Sequence, residues 1–363
     1  MRVLHLPTNI ASQISVTVRA LRDVGVDARG ILWGNAPTAN AAGIATFGSC
    51  SRRRHSLRGL LLTLAWYRTL RNAMRWADVI HWHFGLCTRP FQADIRYAAK
   101  LEKPRIVEFW GSDVRDPPIA SADNPYQRRF YEQCPPSVLD AITRSARKAQ
   151  ERFSRLGFAC LISGPELKAY VDSRRFTGSY FVRQRMFLSE FEPQYADPNA
   201  PRPLVVHAPS HKGKKGTDCV LRVIEQLRRT HVFEFQLLHG VERSEALRIV
   251  RRCDVFLDQF VVGDHGLATL EAMAFGKPAV CYIKPSLVPE YPPDCPIVNA
   301  NQDNLAQVVE GLLVDGQRRH EIGRRSRAYV EQHHDAHQIA RQLIKIYEEL
   351  IEKNRDRRHR GDR

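Results

Sequence analysis

The sequence predicts an α/β protein of two domains, each built around a parallel β-sheet. Short apolar runs alternate with segments of helical periodicity along most of the 363 residues. The alternation stops at a proline-rich stretch near the middle of the chain and then begins again. The length also suits two domains of ordinary size better than one. We therefore expect a parallel sheet on either side of the proline-rich stretch.

The N-terminal residues form the first predicted βαβ unit. Val3–Leu6 and Val26–Leu32 are apolar and are predicted to be buried strands. Ile14–Val24 has apolar residues at helical spacing and is followed by Gly25, a typical helix end. A strand, a helix and a strand of this length are the unit from which parallel sheets are built. The loop after the first strand lacks glycine, so we expect it to face a substrate other than a phosphate.

A basic segment follows this unit. Ser51–His55 is rich in arginine, and Leu57–Arg71 alternates apolar residues with arginines at roughly helical spacing. One interpretation is a helix lying on an anionic membrane surface, with Trp66 and Trp76 beside the charges. The other, which we favour, is an ordinary helix packed on the sheet with a solvated arginine face.

Two histidines lie on the next predicted strand, Ala77–Gly85. His81 and His83 are two residues apart and therefore point to the same face of the sheet. Two imidazoles could bind a metal ion, but no third ligand is visible in the sequence. No metal site is predicted here.

Polar residues follow the strand that begins at Arg105. Ligands of open parallel sheets bind beyond the carboxyl ends of the strands. Trp110, Ser112, Asp113 and Arg115 lie at such an end and are candidate site residues. The alternative for Asp113 is a helix cap or a turn residue.

The first half ends at the proline-rich stretch. Two further strands are predicted at Phe158–Ile162 and Tyr180–Arg183. Pro193–Pro203 contains several prolines in a short polar run, and we place the domain boundary there. The second half opens with a predicted strand, Leu204–Ala208.

A loop rich in glycine and lysine, residues 209–218, follows this strand and leads into a predicted helix that ends near Arg229. Its spacing is not that of a Walker loop. Three lysines beside flexible glycines nevertheless suit a diphosphate, because a charge-assisted hydrogen bond contributes about 1.5–3 kcal/mol. The alternative is a solvated loop.

A second candidate for phosphate binding lies later in this half. Val255–Val262 is predicted to be a buried strand, and Gly263–Gly266 a tight polar turn. Leu267–Phe275 is predicted to be a short helix that ends at Gly276, with Glu271 one turn inside it. The first N–H groups of a helix carry partial positive charge and attract anions. The alternative is a βα turn that binds nothing.

The remaining predicted elements continue the alternation. They are strands at Phe233–Leu238, Ala279–Ile283 and Pro296–Val298, and helices at Ser244–Arg252, Asn304–Leu313, Arg318–Glu331 and Ala336–Glu352. The residues after the last helix, 353–363, are strongly basic and are predicted to be a disordered tail.

The formal net charge of the chain is +16. A surplus of this size predicts acidic partners such as anionic lipids or phosphorylated small molecules. Nucleic acid is not a predicted partner, because no basic-aromatic RNA signature, zinc-finger spacing or basic zipper is present. The eight cysteines are scattered without a C-x-x-C pair, which predicts reduced thiols in a cytoplasmic protein.

Several short motifs occur in a fixed order along both halves. In the first half they are Asp78-Val79-Ile80-His81 and Gly111-Ser112-Asp113, followed by Phe191 and Pro193 at the boundary. In the second half they are Lys215-Gly216, the strand ending in Gly240, Cys253-Asp254-Val255, and Gly266 through Pro278. In this order they resemble the motifs of the GT-B glycosyltransferases, and most closely those of glycosyltransferase family 4 (group 1). The resemblance covers nearly the whole chain.

The resemblance implies a GT-B fold. Such a fold has two Rossmann-like domains with parallel sheets facing across a cleft and a C-terminal helix that crosses back to the N-terminal domain. Residues 1–195 would form the acceptor-side domain and 203–335 the nucleotide-sugar-binding domain. Residues 336–352 would be the crossover helix and 353–363 the basic tail.

The resemblance also implies roles for individual residues. The catalytic residues would be Lys215, Asp113 and Glu271, with Glu271 bonded to the ribose hydroxyls of the donor. The donor-binding residues would be Ser210, Lys212, Gly240, Asp264, His265, Gly266, Leu267 and Glu271. The residues on the acceptor side would be Asn9, Gln13, His83 and Trp110.

The sequence departs from the family pattern at three of its positions. Ser210 stands where the family usually has arginine, and Lys212 lies close enough in the loop to stand in for it. Gly263 stands where the family has the first of two acids, and Asp264 is one residue further on. Trp110 stands where the family often has histidine.

The function implied by the resemblance is that of a hexosyltransferase-type enzyme. It would move a sugar, with retention of configuration, from a nucleotide-sugar to a glycan, lipid-linked or small-molecule acceptor. No D-x-D pair is present to hold a metal against the diphosphate, so we expect neither a metal nor another cofactor. The expected location is the cytoplasm, with peripheral contact to the inner face of an anionic membrane. A nucleotide-sugar epimerase and a GT-B-like binding subunit without catalysis stay open as alternatives.

Overall fold

A computed structural model describes residues 1–33, 44–47, 57–88 and 92–361 of the chain. The chain divides into two compact units. Unit 1 comprises Met1–Asp116, Ile142–Met186 and Ala336–Arg363, and unit 2 comprises Pro117–Ala141 and Phe187–Asp335.

Unit 1 is built on a seven-stranded sheet. Its strands are β1 (Arg2–Pro7), β2 (Asp27–Trp33), β3 (Ile44–Phe47), β4 (Val79–His83), β5 (Arg105–Phe109), β6 (Ala159–Ile162) and β7 (Ser179–Phe181). All neighbouring strands are parallel, in the order β3-β2-β1-β4-β5-β6-β7. The direction of winding reverses between β1 and β4. In sheets of this kind ligands bind beyond the carboxyl ends of the strands at such a switch point.

Helices cover the sheet of unit 1. They are α1 (Gln13–Asp23), α2 (Leu57–Trp76), α3 (Ala93–Lys100), the part of α6 (Pro136–Ser154) that follows Ala141, and α13 (Ala336–Gly361). Short 3-10 helices lie at Ile10–Ser12, Pro165–Ala169 and Ser173–Arg175. Helix α1 buries Ile14, Val18 and Leu21 at helical spacing and packs against α13.

Helix α2 is the basic segment for which two interpretations were open. Trp66, Leu70 and Met74 are buried at a spacing of four residues, and the helix contacts β1 and α3. Arg68 and Arg75 on its other side are exposed. Over its described side chains α2 is therefore an ordinary packed helix with a solvated arginine face, the interpretation that we favoured.

Unit 2 is built on a five-stranded parallel sheet. Its strands are β8 (Leu204–His207), β9 (Glu234–Leu237), β10 (Val255–Leu257), β11 (Ala279–Cys281) and β12 (Val298–Asn299). Their order is β12-β11-β10-β8-β9. The switch point of this sheet therefore lies between β8 and β10.

The helices of unit 2 precede, alternate with and follow its strands along the chain. They are α4 (Pro117–Ala122), α5 (Pro125–Glu132), the start of α6, α7 (Lys212–Lys215), α8 (Thr217–Leu227), α9 (Arg243–Arg252), α10 (Leu267–Ala274), α11 (Leu305–Val314) and α12 (Gly316–His333), with 3-10 helices at Leu188–Glu190 and Pro285–Glu290. Val220, Ile224 and Leu227 of α8 share one apolar core with Val255 and Leu257 of β10.

Unit 2 includes the segment Pro117–Ala141, which the predicted domain 1–195 assigns to the first half. Asn124 Nδ2 donates to the carbonyl oxygens of Val261, at 2.8 Å, and Val262, at 3.0 Å. Tyr126 joins the apolar core of unit 2. The segment is therefore held by contacts with residues far away in the sequence, which local patterns do not reveal. Helix α13 clusters with unit 1, the side on which the crossover helix is expected.

The predicted fold class, two α/β units with parallel sheets, is confirmed. The elements differ from the predicted ones in four respects. Helices α3 to α7 were not predicted. Strand β3 was not predicted, and the predicted strand Val255–Val262 ends at Leu257, because Phe260 N donates to Lys215 O instead of a neighbouring strand. The residues after Glu352 continue α13 to Gly361. Asn354 Nδ2 and Arg358 Nη2 donate to Glu102 O, at 2.9 and 2.6 Å, and so fix this end of the helix on unit 1.

Candidate active site

The switch point of unit 2 brings two predicted features together. The lysine-rich segment follows β8, and the polar turn before α10 follows β10. Lys215 lies at the end of the short helix α7, and its Nζ forms an ion pair with Asp258 Oδ1. Asp258 is the first residue after β10 and is 2% exposed. The loops that follow β8 and β10 thus each contribute one side chain, and the two side chains meet at the edge of the sheet where a ligand is expected.

Asp258 also binds the start of α10. Its Oδ2 accepts hydrogen bonds from Gly266 N, at 3.0 Å, and from Thr269 Oγ1, at 2.6 Å. Burial alone would raise the pKa of Asp258, but the charge and hydrogen bond of Lys215, together with the bonds from Thr269 and Gly266, hold this pKa below its ordinary value. An ionised Asp258 therefore fixes the ammonium of Lys215 beside the first turn of α10.

Glycine at position 266 lets the backbone approach the ion pair closely. A Cβ at this residue would lie 3.0 Å from Lys215 Nζ and 3.1 Å from Asp258 Oδ2. The N–H of Gly266 itself is engaged by Asp258. Leu267 begins α10, and the first N–H groups of a helix have no partner within the helix. A positive ammonium and helix N–H groups therefore lie side by side.

Glu271 lies one turn further along α10. Its carboxylate pairs with Arg243 Nη2, and its side chain is 13% exposed. Burial raises the pKa of Glu271, although the positive charge of Arg243 acts in the opposite direction. Glu271 is thus a partly accessible hydrogen-bond acceptor on α10, the helix whose first turn lies beside Lys215.

The other predicted donor-binding residues divide into two groups. Ser210, Lys212 and Gly240 are exposed. Asp264 is 6% exposed, and its Oδ1 accepts hydrogen bonds from the Tyr291 hydroxyl and from His265 N, the latter at 2.8 Å. The ring of His265 packs edge-on against Tyr291. Asp264 therefore holds the polar turn in shape.

In unit 1, the switch point carries a buried polar cluster. We use the name histidine cluster for His5 on β1, His81 and His83 on β4, Glu108 on β5, and Arg185. His5 is paired with His81 across the two strands, so the three imidazoles share one face of the sheet. All five side chains are at most 1% exposed.

Short contacts join the members of the histidine cluster. Arg185 donates twice to Glu108, at 2.7 and 2.8 Å. Glu108 Oε2 lies 3.2 Å from His81 Nε2 and 3.1 Å from His83 Nδ1. His5 Nδ1 lies 2.9 Å from His83 Nε2, and the Tyr347 hydroxyl lies 2.7 Å from His81 Nδ1. The cluster is therefore one connected network under α13.

The ionisation of the histidine cluster follows from its burial. Burial lowers the pKa of His81, and burial together with neighbouring positive groups lowers those of His5 and His83 well below the ordinary value of 6.5. Burial alone would raise the pKa of Glu108, but the charge and hydrogen bonds of Arg185 hold it below its ordinary value. Three neutral imidazoles thus surround one balanced ion pair.

The structure supplies the third ligand that the sequence did not show. Ligand atoms of His5, His81 and His83 lie within 4.8 Å of one another, which is close enough for one metal ion. However, a divalent cation would add two positive charges to a buried cluster in which Arg185 already balances Glu108. We therefore interpret the cluster as a network of neutral imidazoles.

Two predicted acceptor-side residues, Asn9 and Gln13, follow β1 and form hydrogen bonds with the backbone. Asn9 Oδ1 accepts from Ile14 N, at 2.9 Å, and so caps the start of α1. Gln13 is 2% exposed and bonds the backbone of Arg185 in both directions, at 3.0 and 3.2 Å. Both side chains therefore shape the edge of the site.

Trp110 lies over the histidine cluster. Its ring stacks on His83 with centroids 6.1 Å apart, and the guanidinium of Arg185 lies 5.4 Å from its centroid. Trp110 Nε1 is buried and has no hydrogen-bond partner among the described residues. This N–H is a donor of the candidate acceptor side that a bound molecule could use.

Asp113 connects two loops at the carboxyl edge of unit 1. Its Oδ1 accepts from Trp110 N, at 3.0 Å, and Gly111 N, at 2.9 Å, and its Oδ2 accepts from Gly85 N, at 2.9 Å. Burial raises the pKa of Asp113 to about 6, although these bonds act in the opposite direction. The carboxylate thus fixes the loops after β4 and β5, which is the turn role that we left open.

We expect the substitution Asp113→Ala to lower the free energy of unfolding by about 3 kcal/mol or more, because it strands buried N–H groups that cost about 1–3 kcal/mol each. Urea unfolding of the purified variant measures this loss. Ser112→Ala, at the exposed neighbouring position, is the control and should stay close to the wild type. A stable Asp113→Ala variant would show that the three bonds are dispensable.

The chain is similar to known proteins in two respects, a family of sequences and a fold. Residues 221–345 match the model of a family described as glycosyl transferase-like. A search of curated protein sequences gives no match. Sucrose-phosphate synthase from Thermosynechococcus elongatus is structurally similar with a TM-score of 0.67 and 12% identity, over 97% of this chain and 100% of that chain. The chain has the fold of the GT-B glycosyltransferases.

Two further structures are similar over almost the whole chain. A glycosyltransferase from Rickettsia africae has a TM-score of 0.62 and 11% identity, over 96% of this chain and 98% of its own. HepE from Anabaena, in complex with UDP and glucose, has a TM-score of 0.60 and 13% identity, over 95% and 98% of the two chains. The fold that the motifs predicted is thereby confirmed.

Three residues of the site in this GT-B fold were missed by sequence reasoning. Asp258 lay inside a predicted strand, Thr269 was one of several helix residues, and Arg243 lay just before a predicted helix. A carboxylate at the end of an apolar run was the available signal for Asp258.

No helix in the described ranges is long and apolar enough to cross a bilayer.

Proposed function

We propose that the protein is a glycosyltransferase that moves a sugar from a nucleotide-sugar donor, held by unit 2, to an acceptor held by unit 1. The observation that carries the proposal is the placement of Lys215 by Asp258 beside the first turn of α10, at the switch point of a GT-B-type sheet. The family match to residues 221–345 and the UDP bound in HepE support the same assignment.

Lys215 has a plain task in this reaction. The bond from the sugar to the diphosphate breaks, and negative charge grows on the leaving phosphate oxygens. The ammonium has three donors, one of which is used by Asp258. The remaining donors and the free N–H groups of α10 stabilise the growing charge without reorganising, because Asp258 already holds them in place.

Glu271 is proposed to accept hydrogen bonds from the ribose hydroxyls of the donor. Its side chain remains partly exposed and its carboxylate is held by Arg243. Lys212, exposed in the same loop region as Lys215, is proposed to contact the distal phosphate. With lysines in this role, we propose that transfer needs no metal, and that it retains the sugar configuration as in the family that the motifs resemble.

The acceptor is proposed to be a glycan or a lipid-linked molecule that meets Trp110 Nε1 and the loops fixed by Asp113. The net charge of +16 supports peripheral contact with an anionic membrane on the cytoplasmic side. Nucleic acid is not part of the proposal.

The proposal predicts that at least one nucleotide-sugar stabilises the purified protein. A donor present at 100 times its dissociation constant should add about 2.7 kcal/mol to the free energy of unfolding, measured as a thermal shift across UDP-, GDP- and ADP-sugars. Glu271→Ala should weaken this donor about 10- to 100-fold, because it removes hydrogen bonds to a charged group. Glu245→Ala, on the exposed face of α9, is the matched control.

The products separate the alternatives. Slow donor hydrolysis, or transfer to an added glycan or lipid-linked acceptor, is expected for a glycosyltransferase. A donor converted to its epimer would indicate an epimerase, and a bound donor that is never turned over would indicate a binding subunit. If no nucleotide-sugar shifts the unfolding transition, the assignment of unit 2 is wrong.

A further inference from the structure

A basic pocket lies at the amino-terminal edge of the unit 1 sheet, where β5 begins and α13 ends. This edge is opposite to the one that carries Asp113 and Trp110, since the strands are parallel. The cavity has a volume of about 180 Å³. We use the name basal pocket for this cavity, whose polar lining includes Lys103, Arg105, Thr177, Lys353, Asn354 and Arg357.

Arg105 is the buried cation of the basal pocket, with 9% of its surface exposed. Its Nε donates to Leu156 O, at 2.8 Å, and its Nη1 donates to Lys103 O, at 3.1 Å. Both acceptors are neutral carbonyls, and no carboxylate of the described residues is within ion-pair distance. A Cβ at position 157 would lie only 2.8 Å from Arg105 Nη2, so the glycine at this position leaves room for the guanidinium group.

A second cation lies close to Arg105 without a carboxylate partner. Arg357 donates from Nη2 to Asn354 Oδ1, at 2.8 Å, and forms no ion pair among the described residues. Burial and the positive charge of Arg357 lower the pKa of Arg105, and Glu102 offsets this only in part. Among the described residues, no carboxylate therefore pairs with either guanidinium of this pocket.

The other two cations of the basal pocket are already engaged. Lys353 pairs with Glu349, at 2.5 Å. Lys103 donates to the carbonyl oxygens of Met74 and Ala77, at 3.2 and 2.6 Å, and so caps the end of α2. Two guanidinium groups, Arg105 and Arg357, thus remain for a ligand.

We propose that the basal pocket binds a phosphate group through Arg105 and Arg357. Planar guanidinium groups suit phosphate oxygens because they can donate two parallel hydrogen bonds. The cavity has room for one phosphate group, and Thr177 adds a hydroxyl donor. The phosphate belongs either to a small phosphorylated molecule or to the headgroup of an anionic lipid. This site is independent of the donor site and of the proposed function.

The test uses the full chain and two probes. Inorganic phosphate is titrated at constant ionic strength by calorimetry, and vesicles of phosphatidylcholine with and without phosphatidylglycerol are used in flotation. Arg357→Gln removes an exposed partner of the pocket without disturbing the core, and should weaken phosphate binding about tenfold or more. Arg341→Gln, on the exposed face of the same helix, should leave binding unchanged.

The two sources of phosphate give different results. Phosphate binding that depends on Arg357, without vesicle binding, indicates a small phosphorylated ligand. Vesicle binding that requires phosphatidylglycerol and Arg357 indicates a lipid headgroup. Phosphate binding that Arg357→Gln leaves unchanged would place the phosphate elsewhere, for example at Lys215, and would overturn the proposal. The proposal is overturned if neither probe binds, or if Arg341→Gln weakens binding as much as Arg357→Gln.

Discussion

Replacing Lys215 by methionine and Asp258 by asparagine in one variant is expected to lower sugar transfer about 100- to 1,000-fold, and to lower the free energy of unfolding by less than Lys215→Met alone. The loss follows from removing a cation that stabilises the leaving diphosphate in the transition state. The turnover number at saturating donor is the measurement, because the effect belongs to the chemical step.

The paired substitution is needed because Lys215 and Asp258 are coupled. Lys215→Met alone leaves the buried Asp258 carboxylate uncompensated, which costs about 3–5 kcal/mol. In the double variant the asparagine oxygen can still accept from Gly266 N and Thr269 Oγ1, the two bonds that hold α10. Its amide nitrogen then occupies the side that faced Lys215.

Lys214→Met is the matched control for charge, since Lys214 is an exposed neighbour in the same short helix. It should keep most of the activity. If the double variant turned over at the wild-type rate with saturating donor, the phosphate-binding assignment of Lys215 would have to be abandoned.

Mild acid is expected to destabilise unit 1 strongly. His5, His81 and His83 have folded-state pKa values below the ordinary 6.5, so the unfolded chain binds protons that the folded unit does not. Their contribution to stability is fully present above pH 6.5 and is lost as the pH falls below it. A histidine that stays neutral in the folded state loses about 1.3 kcal/mol of its contribution between pH 7 and 5.5. His5 and His83, whose pKa values are lowered well below 6.5, together account for about 2.5 kcal/mol, and His81 adds to this loss.

Asp113 changes the free energy of unfolding in the opposite direction as the pH falls. Its pKa is raised to about 6 in the folded state, so protonation between pH 7 and 5.5 stabilises unit 1, by about 0.8 kcal/mol. The net loss is therefore about 2 kcal/mol. Urea unfolding at several pH values, followed by a tryptophan signal from unit 1, measures this slope.

Two variants identify the groups responsible for the acid effect. His5→Phe removes one of the three titrating imidazoles with little change in shape, and should reduce the slope by about one proton. His337→Gln removes a half-exposed histidine of α13 that contacts Asp23, and should leave the slope unchanged. An acid response equal in His5→Phe and the wild type would mean that the histidine cluster is not its origin.

The sequence alone determined the architecture. Apolar runs and helical periodicity predicted most strands of both sheets and the helices from α8 onwards, because side chains that enter a core repeat with the period of the element that carries them. The helices α3 to α7 were not predicted. The resemblance of the motifs around Lys215, Gly266 and Glu271 to those of the GT-B glycosyltransferases is what predicts the donor side. Strand ends were predicted less well: β10 stops where Asp258 turns its carboxylate to Lys215, a contact with a residue 43 positions away.

The tertiary structure decided which residues meet. His5 joins His81 and His83 only because β1 and β4 are neighbours in the sheet, and Arg185 reaches Glu108 from a distant part of the chain. Asn124 ties its segment to unit 2 through the carbonyls of Val261 and Val262. Local sequence patterns show which side chains are apolar. The pairing of polar groups across a core depends instead on the order of the strands in the sheet. The buried charges of this protein, and hence its chemistry, are therefore set by the fold.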